Sequence, residues 1–165
     1  MTDPTTSAPS RDAIKQELEA TKAGFHQLLD SLSADDFKKK SGNSTWSNGQ
    51  LMWHVAWGTE FVPDGVDRCR KGKNLPLPRG VFNALNPWVT RWGSRGATPE
   101  SVSKKFDAAL DKAIAALATV KDDEWTRGAK IAGDDTTVER VLHQPATHFA
   151  EHRADILKSL GRASG

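Results

Sequence analysis

Five histidines, at positions 26, 54, 143, 148 and 152, are the side chains of this sequence best suited to metal chemistry. His148 and His152 are four residues apart. On a helix that spacing puts both imidazoles on one face, where they can share one ion. His54 follows Leu51 by three residues, on the inner face of another predicted helix. Three inward imidazoles from two helices supply three protein ligands and leave one position open, the pattern of a catalytic metal site. A second reading stays open at this point: three core histidines bonded to backbone carbonyls or carboxylates. Asp155 follows His152 by three residues and His148 by seven, so it points to the same side. It is the candidate to orient a ligand or move a proton, or else a boundary carboxylate paired with an arginine. Glu60 and Glu151 are secondary candidates for that role. His26 falls at the edge of its helix face and His143 well off the line through His148, so both read as surface or boundary residues.

Six tryptophans, six phenylalanines and no tyrosine make the aromatic content unusual in kind. Trp53 and Trp57 flank His54, and Trp88 and Trp92 are four apart. Core packing is the ordinary use of tryptophan, but the helix carrying His54 cannot bury all of its sides. Trp57, Phe61, Trp88 and Trp92 are therefore the expected lining of a substrate cavity above the histidines. Arg91, interleaved with the last two, would meet an anionic substrate or form part of a solvated face.

Hydrophobic periodicity supplies the elements that must carry these residues. Residues 1–9 read as a frayed tail. Ser10 caps a helix over about 11–31, with Ile14, Leu18, Thr21, Phe25, Leu28 and Leu32 on one face. Ser47-Asn48-Gly49-Gln50 has the form of a capping box and opens helix 2, which Pro63 should kink or end. Residues 71–80 read as a loop, and residues 81–96 as a short helix inside a long connection. Thr98-Pro99-Glu100 starts helix 3, about 99–120. Thr136-Thr137-Val138-Glu139 reads as a second capping box opening helix 4, which Pro145 should kink and Gly161 should end. No strand pattern and no internal repeat is evident. The prediction is an all-α four-helix bundle, a single domain over 10–161, with a long connection between helices 2 and 3 that covers the site as a lid.

Composition narrows the function classes. The chain has 165 residues, 37% of them hydrophobic and 27% charged, enough for one real core. Up to residue 80 there are 11 basic and 10 acidic residues, and after it 12 and 11. Neither half is basic enough for a nucleic-acid footprint. No apolar run approaches the length of a membrane helix, and the first residues lack the features of a signal peptide. One cysteine, Cys69, excludes an internal disulfide framework and a Cys-rich zinc site. The expectation is a cytoplasmic protein with a small-molecule substrate, with neither nucleic acid nor membrane as partner, and with a helix face on which a homodimer could form.

Two segments resemble those of the DinB/YfiT-like family of four-helix-bundle, metal-dependent enzymes. Trp46-Ser47-Asn48-Gly49-Gln50-Leu51-Met52-Trp53-His54-Val55 is similar to the family's Trp-Ser-x-Gly-x-x-x-x-His segment. His148-Phe149-Ala150-Glu151-His152-Arg153-Ala154-Asp155-Ile156 is similar to its His-x-x-x-His-x-x-Gln-Ile segment. The resemblance spans about residues 10–160 and implies a divalent ion, zinc or nickel, on His54, His148 and His152. Asp155 stands where the family often has Gln, so the usual substrate is not carried over.

The resemblance implies an enzyme, a thiol S-transferase or hydrolase. The ion would activate a low-molecular-weight thiol co-substrate, or water, for attack on a small electrophile. Cys69, about fifteen residues past His54 and beyond the kink, is poorly placed to be the nucleophile. The alternative is a non-catalytic protein on the same bundle that sequesters a toxic small molecule, as in self-resistance.

Overall fold

The computed structural model describes residues 10–43 and 45–162; the tail read at 1–9 lies outside them. Four helical segments form the bundle. They are α1 (Arg11–Asp30), the pair α3 (Asn48–Thr59) and α4 (Val62–Lys71), α6 (Pro99–Ala118) and α7 (Val138–Ser159). Helix α1 is parallel to α7 (Glu17 meets His143, Gly24 meets Phe149) and antiparallel to α6 (His26 meets Asp107). The long connection between the second and third segments contains α5 (Arg79–Gly93), and a short α2 (Ala34–Lys38) lies between α1 and α3. Among the described residues, no helix is long and apolar enough to cross a membrane.

Local chemistry accounts for the boundaries. The Ser10 hydroxyl accepts from Ala13 N and starts α1. Ser47 and Gln50 form the reciprocal box expected at α3, and Thr98 with Ser101 forms another at α6, where Pro99 occupies the first turn. Pro63 sits in the first turn of α4, so the expected interruption is a break at Glu60–Phe61. Phe25 and Phe106 stack at 3.8 Å between α1 and α6. Leu18, Leu51, Val55, Leu110, Leu142 and Ile156 join them in a core with almost no solvent contact.

Three details differ from the sequence reading. First, a two-stranded antiparallel hairpin, β1 (Gly128–Ile131) and β2 (Asp134–Thr137), stands where no strand was expected. Its turn is Ala132-Gly133, both at positive φ (51° and 90°), as a two-residue hairpin loop of the primed type requires. Second, the cap of α7 is Thr137, bonding Arg140 N, and no reciprocal Glu139 box forms. Thr136 is committed to pairing with Ala129 in the hairpin. Third, α5 is a full 15-residue helix rather than a short one. Helix α7 runs unbroken through Pro145. Leu75 pairs with Ile131, so the hairpin holds down the start of the long connection.

Candidate metal centre

Helix α3 brings His54, and α7 brings His148 and His152, to one point in the bundle. One nitrogen from each lies within 4.8 Å of the other two. Among the described residues this is the one group of three or more histidine, cysteine or acidic side chains so placed. The ring centroids are 4.8 Å apart for His54–His148 and for His148–His152, and 5.3 Å for His54–His152. His54 is 5% exposed and His152 9%. Burial lowers the His54 imidazole to about 4, helped by the charge His152 would carry. Burial also lowers His148 to about 3, with His54 and His152 adding to it. Both therefore keep an unprotonated lone pair at neutral pH.

Each ring has a partner for Nδ1. His54 Nδ1 lies 3.1 Å from the Thr90 hydroxyl, His148 Nδ1 3.2 Å from the Gln144 amide, and His152 Nδ1 3.4 Å from Asp155 Oδ2. A neutral imidazole that donates from Nδ1 turns a bare lone pair outward at Nε2. Asp155 can only accept when ionised, so it fixes that tautomer in His152. Thr90 can accept from His54 in the same way. Gln144 presents its nitrogen to His148 while its buried oxygen has no partner. A half-turn of the amide puts that oxygen on Nδ1.

The consequence appears between His148 and His152, whose Nε2 atoms are 3.1 Å apart. Two lone pairs at that distance repel unless a proton or a cation lies between them. An ion bound at about 2.1 Å to each nitrogen in tetrahedral geometry spaces its ligands about 3.4 Å apart. The α7 pair is already near that spacing, and the third nitrogen need close by only about 1–1.5 Å. The donor set therefore fits a divalent ion that accepts nitrogen ligands.

The remaining neighbours shape the space around it. The Trp46 ring lies 4.9 Å from His54 and 6.5 Å from His152, and its buried Nε1 has no hydrogen-bond partner. Trp57 is 6.0 Å from His54, Phe61 meets Trp57 edge-on at 5.0 Å, and Trp53 stacks on Trp57 at 6.0 Å. Gly58 lets α3 approach α7: a Cβ there would stand 3.0 Å from His148 Cε1. Gly93 does the same for α5, where a Cβ would stand 2.3 Å from the Trp53 ring.

The other residues singled out from the sequence divide clearly. Asp155 lies beside His152 and Trp57 beside His54, while Phe61, half exposed, reaches the cluster only through Trp57. Trp88 and Trp92 pack on each other at 5.1 Å, both exposed, and Arg91 is exposed beside them. Each tryptophan is two residues from Thr90, which faces His54, so the pair lies on the opposite side of α5. A groove of about 430 Å³ between α1 and α7 is lined by Phe149 and Arg153 but includes none of the three histidines. Glu60 is paired with Lys105, and Glu151 is exposed. His26 pairs with Asp107 and His143 with Glu17 at half-buried positions. Cys69 is 1% exposed, and burial raises its thiol, so it is a core residue. Sequence reasoning missed Thr90 and Gln144, and it gave Trp46 no role in the site beyond opening the family segment; nothing in the sequence marks Thr90 as facing inward.

The family model of the DinB superfamily matches residues 17–156. No curated protein sequence matches the chain. Among solved structures, the fold is similar to that of a mycothiol-dependent maleylpyruvate isomerase, with a TM-score of 0.73 at 15% identity. The alignment covers 90% of this chain and 61% of that one, so the chain spans less than two thirds of that enzyme's length.

Proposed function

The chain belongs to the DinB superfamily, and from that premise we propose that it is a metal-dependent enzyme acting on a small electrophile. His54, His148 and His152 hold a divalent ion, zinc as the first candidate and nickel as the second. A low-molecular-weight thiol is the nucleophile, with water as the other candidate. The observation that supports this reading is geometric: three rings converge, with one nitrogen of each within 4.8 Å of the other two, while each Nδ1 faces a polar partner of its own.

The bound ion would supply Lewis acidity, which keeps a thiol ionised at neutral pH. Everything else falls to this chain's side chains. Thr90, Gln144 and Asp155 hold the three imidazoles in the ligating orientation. Asp155 is a positioning residue in this account, since its carboxylate faces His152. Trp57 and Phe61 offer an apolar wall on the α3 side. Trp46 brings an unpaired indole N–H that can donate to an oxygen of the reacting molecule. Cys69 is too buried to attack a substrate, so the thiol must come from solution.

The test is turnover of a panel of small electrophiles by the metal-loaded protein, with and without added thiol. Product formed only with thiol supports the transferase or isomerase form, and product formed without it supports the hydrolase form. Stoichiometric binding of an electrophile with no product would replace the enzyme reading with sequestration.

A further inference from the structure

Helix α5 faces the wrong way for a helix of a bundle. Its one buried residue is Thr90, directed at His54. Val81, Leu85, Trp88 and Trp92 recur at helical spacing roughly 140–180° around the axis from it. They are 45%, 50%, 62% and 48% exposed. With Phe82 and Phe61 they are all the exposed large hydrophobic side chains among the described residues. The stripe runs from 81 to 92, roughly 16 Å at 1.5 Å per residue. Turning it inward would break the Thr90–His54 contact and lift Gly93 off Trp53. An apolar surface of this kind marks an interaction site.

Charge selects the occupant. From Arg68 through Pro99 the chain has seven basic residues and no acidic one. Four of them are neutralised from outside the segment, by Asp64, Asp67, Glu124 and Asp134. Lys73 lies within the field of Asp67, which leaves Arg91 and Arg95 without an ion pair among the described residues. Arg95 instead lies over the Trp92 ring, 3.6 Å from its centroid. Tryptophan, phenylalanine and leucine on one face, with arginine beside them, is the composition of a helix that lies in a lipid headgroup layer. A second copy docked through the same stripe would set unpaired arginines against each other.

We propose that α5 is an interfacial helix that docks the protein on an anionic lipid surface. This departs from the sequence expectation of no membrane partner, which rested on the lack of an apolar run long enough to span a bilayer and says nothing of a helix lying on its surface. The inference does not depend on the metal or on turnover.

Flotation of the full chain with phosphatidylcholine vesicles, and with vesicles of phosphatidylcholine and phosphatidylglycerol in equal amounts, tests it. Binding is expected to the second vesicles and not the first, equally with and without a chelator, and to weaken in high salt. Arg91→Gln with Arg95→Gln should lower the affinity by roughly 30-fold, at about 1 kcal/mol per arginine near the surface. Leu85→Ser with Trp88→Ser should abolish binding; both side chains are half or more exposed, and an unchanged thermal melt checks the fold. No binding to the anionic vesicles, or equal binding by the Leu85→Ser, Trp88→Ser variant, overturns the proposal. A concentration-dependent dimer lost in that variant, with no vesicle binding by the parent, assigns the stripe to a second copy instead.

Discussion

The Thr90 hydroxyl of α5 lies 3.1 Å from His54 Nδ1 on α3, and both side chains are buried. The contact joins the long connection to the histidine cluster. It also gives His54 Nδ1 a partner at hydrogen-bonding distance. Thr90→Val keeps the shape and removes the acceptor, leaving a buried N–H unpaired at a cost of about 1–3 kcal/mol. Metal affinity, measured by competition with a chromophoric chelator, should fall by about tenfold or more, and Thr90→Ser should restore most of it. Equal affinity in Thr90→Val would leave the hydroxyl with no part in holding His54.

Gly58 is the point at which α3 touches His148. Gly58→Ala places a methyl 3.0 Å from the imidazole and 3.6 Å from Gln144 Nε2, so the ring must shift by a few tenths of an ångström. Alanine favours a helix interior over glycine by roughly 1 kcal/mol. The variant is therefore expected to melt at or above the parent temperature while binding metal less tightly. A variant that binds metal as the parent does would show that His148 tolerates the displacement.

Asp155 accepts from His152 at 3.4 Å and is 29% exposed at its side chain. Asp155→Asn keeps the shape, loses the charge, and can present an N–H where an acceptor is required. Metal affinity should drop by roughly 10- to 100-fold. A change of less than twofold would make Asp155 an idle boundary carboxylate.

The two depressed imidazoles give a pH dependence of definite sign. His54 at about 4 and His148 at about 3 both lie below the ordinary 6.5 of an unfolded chain. As pH falls below 6.5 the unfolded chain takes up protons on both histidines and the folded chain does not. Their contribution is therefore whole above that pH and is lost as pH falls toward 4 and then 3. Urea unfolding of chelator-treated protein should lose up to about 1.4 kcal/mol per pH unit per histidine between pH 6 and 5. His148→Gln should reduce that slope by about half. An unchanged slope would mean that His148 is not buried as a neutral ring in the folded protein.

The bundle was legible because its signals are local. Ser10, Ser47 and Thr98 cap the helices where capping chemistry predicts, and the apolar faces of α1 and α6 follow the 3.6-residue period without interruption. His148 and His152 were legible for the same reason, since four residues on one helix fix their relative direction. His54 required the added assumption that two helices pack face to face. Thr90 was not legible. Its contact bridges 36 residues and depends on which side of α5 meets the bundle. Periodicity identifies an apolar stripe but not the direction it faces, and α5 turns its stripe outward. The hairpin escaped notice because β2 is Asp-Asp-Thr-Thr, without the alternation that marks a half-buried strand.

The central claim is that His54, His148 and His152 together hold one divalent ion. Elemental analysis of the purified protein, and of His54→Ala, His148→Ala and His152→Ala, tests it most directly, with circular dichroism as the check on folding. One ion per chain is predicted in the parent and little in any of the three variants, all with helical spectra like the parent's. A parent that takes up no divalent metal at neutral pH, or three variants that keep it at parental stoichiometry, would contradict the account.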